Sequence, residues 1–509
     1  MRISLIEPAP PGFHIYSFVK QVRLGLPLIA TMLRDAGHEV DVQVEVLGEF
    51  DWDTILASDF VGVSTITSTA MKAYAYAEKA RAAGIPVAMG GPHVTFETDE
   101  ALEFADYVVR GEGEEAVFEL IEVLLGTREA QTVVGMSWVD ESGVHRHNPS
   151  RPLLSSLADL PHVDLSLVSH HEKIDPRPIL SSRGCPHDCE FCSVIMMFGR
   201  RPRSEPEDHT IESIRQAAGS PIFFYDDNFI LSKGATKALL ARMIRERLRT
   251  PFSAQIRVDS VYKGGKTDHE LLHLLVEAGC DGVYLGLESV NPETLAAFNK
   301  RQSVDDIVGG LAALHSYGIT THGMFVLGSD ADTVESIRET VDFAISSGIS
   351  SAQFLTLTPL PGTRQTARLR AEGRVFTNNW SLYDGLHVVY WPRNMSPWEL
   401  QREMLEAHRR FYSPRRLRTN SRQRLKGLLI THGWERVPEN MAYMRELRAF
   451  CRTNDPPPLS QEAGAWQPAF DVEPAFASAR SDGAGDVSGR VEAKAQGFPS
   501  FGPKATGDV

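Results

Sequence analysis

Three cysteines stand close together in Ser182-Arg183-Gly184-Cys185-Pro186-His187-Asp188-Cys189-Glu190-Phe191-Cys192. The spacing is C-x3-C-x2-C. Three thiolates can hold three irons of a cubane cluster and leave the fourth iron without a protein ligand. The amino and carboxylate groups of a small molecule can then chelate that iron. Electron-transfer clusters differ, because they take four cysteines. The alternative chemistry is structural zinc in a Cys3His set with His187. Against it, His187 lies inside the step between Cys185 and Cys189, where a side chain does not usually point at the same metal. No second C-x2-C or H-x3-H follows downstream.

The elements around this segment must position it. From residue 179 the chain alternates strands and helices with a period near 30 to 40 residues. The strand candidates are Pro178 to Ser182, Pro221 to Tyr225, Phe252 to Val258, Gly282 to Leu287, Thr321 to Leu327 and Ala352 to Thr358. Six β/α units predict a parallel barrel or a partial one, with its chemistry at the C-terminal ends of the strands. The cysteine segment directly follows the first strand. Residues 1–150 carry a separate strand-helix alternation, which predicts a parallel sheet covered on both faces. Its strands run into small residues at Ser64 and Thr65, at Gly90 and Gly91, and at Gly111 and Gly113. Ligands bind such sheets beyond the carboxyl ends of the strands.

With C-x3-C-x2-C, an aromatic before the last cysteine and a β/α barrel behind it, the chain resembles the radical S-adenosylmethionine (SAM) superfamily over about residues 1–415. The resemblance implies a [4Fe-4S] cluster on Cys185, Cys189 and Cys192, whose open iron binds the methionine moiety of SAM. One electron then cleaves SAM, and the 5'-deoxyadenosyl radical takes hydrogen from an unactivated carbon. By the same resemblance Phe191 sits near the adenine. Asp226 and Asp227 end the second strand, where the family binds the SAM amino group. Arg257 ends the third and pairs with a carboxylate, and Glu288 ends the fourth and accepts from ribose hydroxyls. Phe325 and Gly328 end the fifth, the adenine-contacting strand.

The N-terminal unit resembles the cobalamin-binding domain of this superfamily. Leu24-Gly25-Leu26-Pro27-Leu28 with Gly37-His38-Glu39-Val40 matches its first helix and second strand, and Gly90-Gly91-Pro92-His93-Val94-Thr95 and Gly111-Glu112-Gly113-Glu114 match later loops. The implied cobalamin contacts are Ser64, Thr65, Gly90, Gly91, His93, Gly111, Glu112 and Gly113. Glycines there let backbone approach a large flat ring. The Asp-x-His-x-x-Gly motif, whose histidine ligates cobalt in methionine synthase, is absent, as is usual in radical SAM relatives. Without G-x-G-x-x-G after the first strand, a nicotinamide site is disfavoured.

The whole is therefore read as α/β. A Rossmann-like cobalamin-binding domain spans 1–150, a linker 151–178, a partial (β/α)6 barrel 179–363, a mainly helical region 364–455 and a disordered tail 456–509. The resemblance implies C-methylation with methyl transfer from methylcobalamin. Its rivals are ring formation, rearrangement or carbon–carbon coupling of a lipid or tetrapyrrole with the same cofactors, and a non-catalytic Fe-S or corrinoid-binding protein. Residues 1–150 contain no cysteine, so the second cysteine trio of the tRNA methylthiolases is missing.

Composition sets the outer bounds. Of 509 residues, 42% are hydrophobic and 23% charged, which excludes global disorder. A net charge of -14 gives no bulk attraction to nucleic acid. No apolar run reaches the length of a membrane span, the N-terminus lacks a secretory pattern, and five cysteines make no disulfide scaffold. A cytoplasmic protein is expected, working on a small-molecule or lipid substrate with a reductant such as flavodoxin or ferredoxin. The basic stretch from Arg409 to Lys426 is either a solvated face or a peripheral contact for anionic lipid or a phosphorylated substrate.

Overall fold

The computed structural model describes residues 1–12, 20–413 and 433–457. The tail expected to be disordered falls outside them from residue 458, and so do Arg415 to Lys426 of the basic stretch.

The first sheet contains β1 (Arg2–Glu7), β2 (Glu39–Val44), β3 (Phe60–Ser64), β4 (Val87–Gly90), β5 (Tyr107–Val109), β6 (Met136–Val139) and β7 (His145–His147), in the order β2-β1-β3-β4-β5-β6-β7. Strands β1 to β5 pair in parallel. β3 is buried along nearly its whole length, as a strand covered on both faces must be. Helix Gly25–Asp35 buries Leu26, Leu28, Ala30 and Leu33 on one face of the sheet. It stops where Gly37 takes φ +91°, a conformation that costs glycine little. The chain switches direction across the sheet at β1, which opens a crevice between the ends of β1 and β3.

A wholly parallel sheet was expected, and the edge corrects it: β6 and β7 add antiparallel. The cause is local. Asp140 accepts from the amides of Ser142 at 2.9 Å and Val144 at 3.0 Å, and Gly143 takes φ +79°. This tight turn returns the chain directly, with no crossover helix.

The second sheet follows the expected strands. Beyond β8 (Arg177–Ile179) come the short antiparallel pair β9 (Ser182–Arg183) and β10 (Arg203–Ser204), then β11 (Ile222–Phe224) and β12 (Phe252–Ile256). A second short pair, β13 (Tyr262–Lys263) and β14 (Lys266–Thr267), precedes β15 (Cys280–Glu288), β16 (Thr320–Leu327) and β17 (Ser351–Thr356). The order β8-β11-β12-β15-β16-β17 is chain order and every neighbour is parallel, with β8 and β17 as the two edges. This is a partial barrel. β16 alternates, with Thr321, Gly323, Phe325 and Leu327 buried and the residues between them less so. Phe325 stacks on Phe354 of β17 at 5.1 Å. Phe354 in turn packs on His408 and Phe411 of helix Pro397–Phe411, and burying each such ring is worth about 2 kcal/mol.

Residues 151–178 pack against the first sheet. Asp164 receives Arg34, its amide is donated to Thr31 Oγ1 at 2.9 Å, and Val168 bridges to Val42. The C-terminal region holds helices Arg364–Ala371, Pro397–Phe411 and Pro438–Thr453, with irregular chain from 372 to 396 between the first two. Ser396 and Glu399 form a capping box on the second, and Pro397 opens it. In the irregular part Trp380, Tyr383, His387, Val388 and Val389 are buried, so it is a packed cap. Trp380 donates to Glu100 at 2.5 Å and ties this cap to the first sheet. One apolar core runs from Val61 and Val94 through Phe224 and Leu285 to Trp380 and Met404, so these units form one continuous body.

Candidate functional site

The cysteine loop leaves β9 and turns at Gly184, whose φ is +86°. A Cβ there would meet the carbonyl oxygens of Phe198, Gly199 and Arg201 at 3.0 to 3.2 Å, so only glycine fits. Cys185 N donates to Gly199 O at 3.3 Å, and Cys192 N to Cys189 O at 3.3 Å. The far side is pinned to the barrel. Asn299 donates to Asp188 O at 2.8 Å, Glu190 N to Phe298 O at 3.1 Å, and Arg364 pairs with Asp188 at 2.8 Å. Phe191 packs edge-on against Phe298 at 4.9 Å. Cys189 is buried, Cys185 and Cys192 half-buried. Burial raises all three thiols, Cys192 up to about 12. Metal binding at such thiols therefore releases protons. Among the described residues no three Cys, His, Asp or Glu side chains group as a single-ion site.

Most charges on the barrel rim are spent on each other. Asp226 is fully buried and accepts from Ser181 N at 3.1 Å, Ser181 Oγ at 2.8 Å and Ser182 Oγ. It fixes the strand that leads into the cysteine loop, and burial holds its carboxyl up at about 6. Arg257 forks onto Asp259 with two bonds of 2.9 Å. Glu288, at φ +62°, accepts from Lys300 Nζ at 2.5 Å. Gly328, at φ +99°, donates its amide to Asp332 at 2.9 Å, and its carbonyl accepts from Tyr390. Asp227 differs. The residue is exposed as a whole, but desolvation of its carboxyl against the cavity wall, with the Asp226 charge beside it, pushes that carboxyl up to about 7.

Asp227 lines a cavity of about 790 Å³ between the two sheets. The same cavity is lined by Ser64, Gly90, Gly91, Gly111, Glu112 and Gly113 from the first sheet, and by Arg183, Met197 and Phe198 around the cysteine loop. Its deeper part runs between Leu5, Leu28, Gly62, Ala88 and Leu120. The glycines do two jobs. A Cβ on Gly91, at φ +104°, would lie 2.5 Å from Thr65 O, so this glycine serves the fold. A Cβ on Gly90 would meet nothing nearer than Val109 O at 3.8 Å, and one on Gly111 nothing within 4 Å. Those two leave room that protein does not fill.

The structure thus brings six of the eight expected cobalamin contacts and Asp227 to one cavity. Thr65 and His93 do not line it. His93 is completely buried, bonded to Tyr74 at 2.9 Å and edge-on to Trp380 at 4.9 Å. Burial drives it down to about 3, so it is a neutral core histidine. Phe325 lies on the helix-covered face of β16, because side chains alternate along a strand and Met324 and Val326 take the other face. Asp226, Arg257, Glu288 and Gly328 also stand outside the cavity and are engaged as described. Glu112 lines the cavity, yet both its oxygens are taken by Arg183 and Arg203. Sequence reading missed those arginines, Lys300, and the stacked His162 and His209 on the cavity wall. The available signal was Arg183 itself, a charge in a buried strand two residues before the first cysteine.

Comparison with known proteins gives two profile matches: the Radical SAM superfamily over residues 179–344, and a B12 binding domain over residues 20–121. An uncharacterized methyltransferase of Pyrococcus horikoshii, PH0819, is 31% identical over 408 residues, covering 76% of this chain and 87% of the relative. Bacteriochlorophyllide d C-12(1)-methyltransferase of Chlorobaculum tepidum is 28% identical, covering 80% and 86%. Among solved structures, the cobalamin-dependent SAM radical enzyme OxsB with aqua-cobalamin and SAM bound superposes with a TM-score of 0.66 at 16% identity. It covers 91% of this chain and 77% of OxsB, a likeness of fold. The residues present suit these groups. Three clustered thiols, one buried and two half-buried, are the donor set of a cluster, and the unfilled space over Gly90 and Gly111 suits a flat ring.

Proposed function

The chain belongs to the cobalamin-binding radical SAM enzymes, and from that premise we propose that it methylates an unactivated carbon of a small-molecule or lipid substrate. Its cofactors are a [4Fe-4S] cluster, SAM and cobalamin. One observation carries the reading: a single cavity joins the glycine loops of the first sheet to Arg183, Met197 and Phe198, which flank the cysteine loop, and to Asp227 of the barrel. When bound, the cluster supplies the electron that cleaves SAM to the adenosyl radical, and cobalamin carries the methyl group.

The chain's own residues divide the remaining work. Cys185, Cys189 and Cys192 hold the cluster, and Gly184 sets the turn that presents them. Asp227 accepts from the SAM amino group, a task that needs its ionised form. Gly90, Gly91, Gly111 and Gly113 let backbone reach the corrin, with Ser64 as a hydrogen-bond partner. Asp226 positions the strand behind the loop and touches no ligand.

The test is anaerobic reconstitution with iron, sulfide and cobalamin, then SAM and a reductant, with mass spectrometry of the products. 5'-Deoxyadenosine together with methyl-loaded cobalamin is expected. Cleavage without methyl loading would move the assignment to cyclisation or rearrangement. No cleavage, with cysteine variants behaving like the parent, would leave a non-catalytic binding protein.

A further inference from the structure

The antiparallel pair β9–β10 sets Arg183 directly opposite Arg203. Like charges facing each other across a ladder repel. Both guanidinium groups are also buried, with side-chain exposures of 9% and 7%. The arrangement holds because a loop from the other sheet enters it. Glu112 Oε1 accepts from Arg183 at 2.9 Å, and its Oε2 accepts from Arg203 at 2.7 Å and from Leu154 N at 2.8 Å. Glu114 adds a contact of 2.5 Å to Arg183. Two carboxylates meet two guanidinium groups, so the buried charges balance.

The placement matters more than the pairing. Glu112 sits between Gly111 and Gly113 on the cavity wall. Arg183 is followed by Gly184, packed so closely on the carbonyls of Phe198, Gly199 and Arg201 that no side chain fits, and then by Cys185. Arg203 also donates to Phe198 O at 3.1 Å, and Phe198 lines the same cavity. A short path of hydrogen bonds and chain therefore connects the glycine loop to Cys185.

We propose that Glu112 is a positioning residue that clamps the cysteine loop to the cobalamin loop and fixes the separation of cluster and cobalt. This rests on reading the cavity as the cobalamin site. Removing the carboxylate frees Arg183 and Arg203 to repel, and the cysteine loop then samples several positions relative to the corrin.

The test is the magnetic coupling between reduced cluster and cob(II)alamin in the reconstituted full chain, read by electron paramagnetic resonance. The parent is expected to show one resolved coupling. Glu112→Gln is expected to keep one cluster and one cobalamin per chain while losing the resolved splitting. Glu114→Gln, which breaks a single contact, broadens it less. Glu115→Gln alters a surface pair with Arg151 and leaves it unchanged. Should Glu112→Gln not fold, Glu114→Gln decides the matter by the same signal. An unchanged splitting in the folded variant overturns the positioning role. A parent chain that takes up no cobalamin overturns the cavity assignment as well, whereas failure of methyl transfer alone leaves the coupling readable.

Discussion

The strand ends of the two sheets are built in opposite ways, and of the barrel carboxylates Asp226, Asp227 and Glu288 only Asp227 reaches the cavity between them. The first sheet ends in small residues: Ser64, Gly90, Gly91, Gly111 and Gly113. The barrel ends in charges, and nearly all are bound by neighbours: Asp226 by two serines, Arg257 by Asp259, Glu288 by Lys300. One rim makes its site by leaving side chains out. The other pins a loop and exposes little besides Asp227. Under the proposed function, a large, flat, mostly uncharged ring would be met by backbone and empty space. A small zwitterion beside a thiolate-bound cluster needs charges at fixed points, and each buried charge must be neutralised. The two rims should therefore fail differently when mutated.

The largest effect belongs to the cysteines. Cys185→Ala, Cys189→Ala and Cys192→Ala each remove a thiolate from the only protein ligands proposed for the cluster. 5'-Deoxyadenosine formation should fall to background in all three. Substantial turnover in any one of them would remove that cysteine from the ligand set.

Next is the charged rim. Lys300→Met strands Glu288 without a partner in a buried site, and breaking such a pair costs about 3–5 kcal/mol. Urea unfolding of the variant should show this loss. The glycine rim predicts the reverse pattern. Gly90→Ala has room for its methyl and restricts the unfolded chain, so stability should hold or rise by about 0.5 kcal/mol. Cobalamin uptake should nevertheless fall, because the methyl occupies the ring's space. If Gly90→Ala binds cobalamin as the parent does, the empty space over that glycine has been misassigned.

The same contrast explains what was legible in the sequence. The glycines were legible in their placement, because an absent Cβ at a strand end is an intrinsic property: Gly90, Gly91, Gly111 and Gly113 all stand on one cavity. The six barrel strands read well because period and order were regular. Charges read poorly. Arg257 was expected at a carboxylate and found Asp259 two residues on, and Glu112 was expected at a cofactor and found two arginines more than 70 residues away. Partners so distant in sequence leave no local trace. Phe325 and His93 failed for another reason. Strand period and burial decide which face a residue takes, and a neighbouring motif does not. The hairpin β6–β7 did leave a trace in Asp140-Glu141-Ser142-Gly143, a turn sequence directly after the apolar strand Met136–Val139.

The smallest effect concerns acid, and it separates the helix-covered face of the barrel from its rim. His408 is fully buried behind β17, where Nδ1–H donates to Met404 O at 3.1 Å and Nε2 accepts from Phe354 N at 3.3 Å. Both bonds require the neutral ring, and burial lowers it from 6.5 to about 4. In the unfolded chain the ring takes a proton first as pH falls. Its contribution to stability is therefore intact above 6.5 and is lost progressively from there down to about 4. Between about pH 7 and about pH 5.5 the loss is about 1 kcal/mol. Asp227 and Asp281, both raised to about 7, work the other way, because their folded forms hold protons that the unfolded chain releases. The parent's net slope mixes these terms, so the decisive quantity is a difference between proteins. His408→Gln keeps an acceptor for the Phe354 amide and has nothing to titrate. Unfolding free energies of parent and variant at the two pH values should show the variant losing less on acidification by about that 1 kcal/mol. Equal losses would mean that His408 is protonated in the folded chain, and the tautomer inferred from its two bonds would be wrong.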